Sequence, residues 1–113
     1  YGKHSVIEAR NIWIQREYLL EFSMLSTLEN LIKLARERKS APVDGSYTNK
    51  LLTDKSLSKA KVLEEVNELI EAVEENSNKI HEAADVFYHL LMYLEANDVK
   101  IEEVMLELEK RKK

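Results

Sequence analysis

The sequence predicts an all-α protein on three observations. Gly occurs twice and Pro once in 113 residues, whereas a β fold of this size uses many of both at turns and bulges. Apart from Gly2 the breakers gather at Pro42-Val43-Asp44-Gly45, where Asp-Gly supplies turn chemistry behind a Pro that cannot continue a helix. Elsewhere apolar residues recur at three- and four-residue steps, the spacing of one helix face.

The elements follow in order. Residues 6 to 22 carry Ile7, Ile12, Trp13, Leu19 and Leu20 among charges, an imperfect helical pattern. Ser26-Thr27-Leu28-Glu29 reads as a capping box, with the Ser26 hydroxyl and the Glu29 carboxylate satisfying end N–H groups reciprocally; a helix to about Lys39 follows. Beyond the Pro-Gly loop, Val62, Leu63, Val66, Leu69, Ile70 and Val73 form the best periodic segment, in a helix over 59 to 75. Asn76-Ser77-Asn78 breaks it. Residues 80 to 94 are almost continuously apolar, which marks a central helix buried on more than one side. Asn97-Asp98 makes the last turn, and Ile101, Val104, Met105 and Leu108 give a final amphipathic helix. The domain reading is an N-terminal extension or linker over 1–22 and one domain over 23–113.

Composition excludes several classes. At 44% hydrophobic and 34% charged residues the chain is not globally disordered. With no Cys there is no disulfide framework and no thiolate metal site, and no apolar run approaches the roughly 18 residues of a membrane span. A net charge of -4 argues against a non-specific nucleic-acid binder, which needs cationic surface against the phosphates. No basic stretch followed by an apolar run stands near Tyr1, so no signal peptide is expected, and a start at Tyr1 is compatible with excision from a longer protein. The expected location is the cytoplasm, or the plastid in a plant. A monomer of this length buries roughly two thirds of its unfolded surface, so a bundle completed by homodimerisation is expected.

The acids carry the chemical signal. At about 100° per residue, Lys61, Glu65, Glu68 and Ala72 share one stripe on the flank of the apolar face, with Glu64 one step further out. Taken alone, Glu64, Glu65, Glu68, Glu71, Glu74 and Glu75 read as the wet side of a helix. Glu82 and Asp85 are harder to dismiss, because they sit three apart in an otherwise apolar helix and a buried, unpartnered carboxylate is costly. Two such pairs on antiparallel neighbours would converge four carboxylates, whose repulsion calls for a cation. All-oxygen ligation suits Mg²⁺ or Mn²⁺. His81 and His89 flank this stripe and read as hydrogen-bonded structure; Tyr88, Met92, Tyr93 and Met105 read as core or dimer interface.

Glu65-x-x-Glu68 followed by Glu82-x-x-Asp85 resembles the signature of MazG-like all-α nucleoside triphosphate pyrophosphohydrolases. Pro42-Val43-Asp44-Gly45-Ser46-Tyr47-Thr48-Asn49-Lys50-Leu51-Leu52, then Lys61-Val62-Leu63-Glu64-Glu65-Val66-x-Glu68, then Glu82-Ala83-Ala84-Asp85-x-x-Tyr88-His89-Leu90-Leu91, and finally Leu108-x-x-Arg111, resembles the phosphoribosyl-ATP pyrophosphatases of histidine biosynthesis. The resemblance runs from about residue 25 to the end. Leu63 and Val66 stand where that family commonly has Gly and Ala, which implies altered packing rather than lost chemistry.

The resemblance implies Mg²⁺-dependent hydrolysis of phosphoribosyl-ATP to phosphoribosyl-AMP and pyrophosphate, with Glu65, Glu68, Glu82 and Asp85 as metal ligands and Glu64 as a second-metal ligand or the base that orients water. Lys50, Lys61 and Arg111 become candidates for phosphate contacts, although Lys61 could simply pair with Glu65 and Arg111 could complement a helix C-terminus. Gly45, Ser46, Tyr47 and Thr48 could offer N–H groups and hydroxyls to phosphate or ribose. Fusion to, or association with, phosphoribosyl-AMP cyclohydrolase is a further implication. The rival readings are a MazG-like housekeeping nucleotide pyrophosphohydrolase and a non-catalytic helical interaction module.

Overall fold

The computed structural model describes residues 25–112; the expected extension over 1–22, Trp13 included, lies outside the described residues. These form five α-helices and no strand: α1 Ser26–Ser40, α2 Tyr47–Thr53, α3 Lys55–Glu75, α4 Lys79–Ala96 and α5 Ile101–Arg111. The expected all-α class is the observed one. The chain divides into two units, with the boundary inside α1 between Leu31 and Ile32. In the first, the Leu28 N–H donates to the Leu25 carbonyl at 3.0 Å, and Ser26 is the first residue of α1.

Everything else belongs to the second unit. There the segment Tyr47–Thr53, for which the sequence predicts no helix, is a seven-residue helix. Thr48 and Thr53 are weak helix formers, but the Ser46 hydroxyl accepts the Asn49 N–H at 3.3 Å and Leu51 and Leu52 are buried. Tertiary packing overrides propensity at this length. Asp54 ends α2 by donating its N–H to the Lys50 carbonyl (2.9 Å) and opens α3 by accepting the Leu57 N–H (3.0 Å), so α3 starts four residues earlier than its apolar periodicity predicts.

α3 and α4 form a helical hairpin, with α2 packed against both. Its turn is Asn76-Ser77-Asn78, where Asn76 and Asn78 take φ of 53° and 55°, a left-handed geometry that a short polar side chain tolerates. Ser77 donates to the Ala72 carbonyl (2.9 Å) and Asn76 to the Val73 carbonyl (3.2 Å), closing α3 as a Schellman motif.

The hairpin does not bury the face that periodicity marks. On α3 the inward positions are Ser58, Glu65 and Ala72, one every seventh residue, while Leu63, Val66, Ile70 and Val73 are exposed. On α4 the buried set is His89, Leu91, Met92, Glu95 and Ala96, whereas Ile80 is 88% and Phe87 57% exposed. The expected apolar core face is thus an outer face of the single chain. Among the described residues no helix is long and apolar enough to cross a membrane.

The C-terminal end of α4 is tied down by charge. Arg36 donates to both Glu95 (3.1 Å) and Glu102 (2.6 Å), and Lys39 to the Glu95 carbonyl (2.7 Å) and to Asp98 (2.9 Å). This anchors α1, the Asn97-Asp98 turn and the start of α5 to one another.

Candidate metal centre and substrate loop

The hairpin brings the four predicted acids together. Ligand atoms of Glu64, Glu65 and Glu68 on α3 lie within 4.8 Å of one another, as do those of His81, Glu82 and Asp85 on α4. Glu68 links the groups, standing within hydrogen-bonding reach of both Glu65 and Glu82. Glu65 is only 7% exposed, and Oε2 of Glu65 and Oε2 of Glu82 are buried with no donor. Ionised carboxylates have no proton to share, so these contacts are repulsive.

Burial pushes the Glu65 carboxyl above its ordinary range, and the charge and contact of Glu68 push it further, against an opposing influence from His89. Burial and then Glu68 do the same to Glu82, against His81. His81 lies 3.4 Å from the Asp85 carboxylate. The four carboxylates of Glu65, Glu68, Glu82 and Asp85 fit a hard divalent cation: all-oxygen, anionic, on two helices, with two buried oxygens left without a partner.

The remaining predicted residues divide. Lys61 pairs with Glu64 at 3.3 Å, not with Glu65 as the i,i+4 spacing suggested; the i+3 side chain reaches it while Glu65 turns into the hairpin. Tyr47 stands close enough to Lys61, Glu64 and Glu65 for their charges to act on its phenol, whose titration burial pushes up. Gly45, at φ 77°, occupies the turn closed by the Ser46 N–H donating to the Val43 carbonyl (3.1 Å), where only glycine is unstrained. The Ser46 hydroxyl accepts from Arg38 (2.9 Å) as well as capping α2, and Asn49 bridges the Arg38 carbonyl and the Val43 N–H, both at 2.8 Å. Lys50 is exposed on α2 and lines a shallow groove with Val43, Gly45, Ser46 and Tyr47. Arg111 pairs with Glu107 at 3.1 Å on its own helix, and no contact among the described residues ties it to the acids.

Two side chains that sequence reading set aside hold the loop to the acidic helix. Tyr88 shares a 2.6 Å hydrogen bond with the buried Thr48 hydroxyl, and His89 reaches the Tyr47 hydroxyl through Nε2 (3.0 Å) and the Asp85 carbonyl through Nδ1 (2.7 Å). Their one sequence signal is register, since His89 lies four residues after Asp85 and therefore on the same face of α4.

The profile of the phosphoribosyl-ATP pyrophosphohydrolase family matches residues 28–112. The chain belongs to that family. The resemblance read from the loop and the paired acids is borne out, and curated relatives of the phosphoribosyl-ATP pyrophosphohydrolase type align over most of the chain. The phosphoribosyl-ATP pyrophosphatase of Cereibacter sphaeroides is 44% identical over 90 residues, covering 77% of this chain and 87% of that protein. The histidine biosynthesis bifunctional protein of Pyrococcus furiosus is 42% identical over 90 residues, 79% of this chain but 43% of its own length. The chloroplastic bifunctional protein of Arabidopsis thaliana is 38% identical over 97 residues, 81% of this chain and 34% of its own. The chain therefore spans less than half of the bifunctional relatives it matches.

Proposed function

We propose that this chain hydrolyses phosphoribosyl-ATP to phosphoribosyl-AMP and pyrophosphate, a step of histidine biosynthesis, with Mg²⁺, or Mn²⁺ in its place, held by Glu65, Glu68, Glu82 and Asp85. The observation that carries the reading is the pair of buried, donorless carboxylate oxygens on Glu65 and Glu82, in a helical hairpin of this family. A bound divalent ion supplies Lewis-acid neutralisation of phosphate charge. The chain's own residues do the rest. Glu64, half exposed beside Glu65, accepts a proton from the attacking water as the α,β-phosphoanhydride breaks and the bond pair leaves on pyrophosphate. Lys61, held by Glu64, and Lys50 offer positive charge to phosphate oxygens in a protein that is acidic overall. Arg111 joins them only if a second chain brings it to the site.

The same chain is proposed to act as a homodimer, in the cytoplasm or a plastid, alone or joined to a cyclohydrolase domain; the bifunctional relatives support such a union. Leu63, Val66, Ile70 and Val73 on α3 and Ile80 and Phe87 on α4 leave the hairpin with a seam spaced like that of a four-helix bundle, and a second hairpin is the occupant that fits it. Static light scattering at micromolar concentration is expected to give twice the chain mass, and Phe87→Glu to halve it; a wild-type monomer overturns the dimer.

The deciding experiment is pyrophosphate release from phosphoribosyl-ATP, ATP, dATP and dUTP, each with Mg²⁺ and with chelator. Metal-dependent release from phosphoribosyl-ATP alone is the expected result. Release from the common nucleotides instead would favour a housekeeping pyrophosphohydrolase, and no release from any would leave a degenerate site or a domain that works only when joined to its partner.

A further inference from the structure

We infer that His89 is a positioning residue that fixes the hydroxyl of Tyr47, and with it the substrate loop, to the backbone of the metal helix. The kinetic consequences of this link rest on the proposed reaction, whereas the link itself stands on hydrogen-bond polarity. A carbonyl can only accept, so the 2.7 Å contact with the Asp85 carbonyl places a proton on His89 Nδ1. When the ring carries that one proton Nε2 is an acceptor, and we assign the 3.0 Å contact as one in which Tyr47 donates its only hydroxyl proton.

Two things follow. While it donates to Nε2, Tyr47 has no proton left for a phosphate oxygen; towards a substrate its oxygen then offers lone pairs, which suit a ribose hydroxyl or an amino group. Its ring is also held on two sides, stacked on Tyr88 at 6.5 Å and edge-on to His89 at 5.8 Å, while Tyr88 and His89 themselves meet edge-on at 5.1 Å. With Thr48 bonded to Tyr88, successive residues of α2 are pinned to successive residues of α4, one turn beyond Asp85. The start of α2 is thereby tied to the helix that carries Glu82 and Asp85, so a displacement of one carries the other.

The test separates the two ring nitrogens. In His89→Asn the amide nitrogen takes the place of Nδ1 and can still reach the Asp85 carbonyl, but nothing reaches Tyr47; in His89→Gln the longer side chain can again accept from Tyr47. His89→Asn and Tyr47→Phe should each raise KM for phosphoribosyl-ATP by about tenfold with kcat changed less than about threefold, the double variant should be no worse than either single one, and His89→Gln should recover most of the loss. Side-chain ¹⁵N spectra of the histidines supply a readout free of activity: His89 should show the Nδ1–H tautomer in the wild type, and its Nε2 resonance should move in Tyr47→Phe. Multiplying losses in the double variant, or an Nε2 resonance indifferent to Tyr47→Phe, would overturn the inference. If the wild type hydrolyses no phosphoribosyl-ATP, the functional reading fails while the spectra still decide the His89–Tyr47 link.

Discussion

The two ends of α4 treat the same functional groups in opposite ways. At the C-terminal end Glu95 is buried, yet its carboxylate meets Arg36 at 3.1 Å and its carbonyl meets Lys39 at 2.7 Å; nearby, Glu102 and Asp98 titrate below their ordinary ranges, held by hydrogen bonds from Arg36 and Lys39 respectively. Towards the N-terminal end, Glu82 and Asp85 face Glu65 and Glu68, and Glu65 and Glu82 titrate above theirs because burial and Glu68 disfavour ionisation. Burial of acid is common to both. What differs is compensation by the chain's own cations: where it is supplied the acid serves the fold, and where it is withheld the fold carries a cost that a bound cation would remove.

The largest effect expected from breaking this contrast is on turnover. Asp85→Asn or Glu65→Gln should lower kcat/KM for phosphoribosyl-ATP by more than about 100-fold, since even outer-shell groups around a metal are worth up to that; circular dichroism should show the helices intact. Next comes the compensated end. Arg36→Ala leaves the Glu95 carboxylate without its guanidinium partner and should lower unfolding free energy by about 1–2 kcal/mol, a value discounted for the solvent exposure of the arginine, as read by urea denaturation. Smaller, and opposite in sign, Glu65→Gln should raise the stability of the metal-free protein by up to about 1 kcal/mol, because it removes charge from a buried repulsive cluster. A loss of stability there would show that the cluster is compensated after all.

The pH dependence sharpens the comparison further. Glu65 and Glu82 bind protons more tightly folded than unfolded, so the stability they contribute is fully present below the ordinary glutamate value of 4.5 and is lost as pH rises through their raised folded values. Glu102 and Asp98 behave in reverse: their contribution is present above the ordinary values of 4.5 and 3.8 and is lost as pH falls through their lowered ones. Thermal melts of metal-free protein across this range should therefore show a component that declines with rising pH, and millimolar Mg²⁺ should remove that decline while leaving the acid-side loss in place.

Much of the architecture is legible in the amino-acid sequence. The helix order, the breaks at Asn76-Ser77-Asn78 and Asn97-Asp98 and the meeting of Glu65, Glu68, Glu82 and Asp85 all follow from periodicity and spacing, which are local. α2 is not legible, since its stability comes from Leu51 and Leu52 packing and from one Ser46 cap rather than from propensity. The burial direction of α3 departs from its periodic stripe for a related reason. A hydrophobic stripe tells that a face wants cover without telling from which partner, and this hairpin closes on Ser58, Glu65 and Ala72 instead. The roles of Tyr88 and His89 depend on α2 lying across α4, a contact between residues some forty positions apart that no local pattern encodes.

The turn between α3 and α4 is also a ruler. Because the two left-handed asparagines close α3 and launch α4 within three residues, they set the phase of one helix against the other. One residue inserted or deleted there would rotate α4 by about 100° about its own axis, carrying Glu82 and Asp85 off the face that meets Glu65 and Glu68 while leaving both helices whole. In this lineage the length of that turn should therefore be far less free to drift than its exposed position would allow.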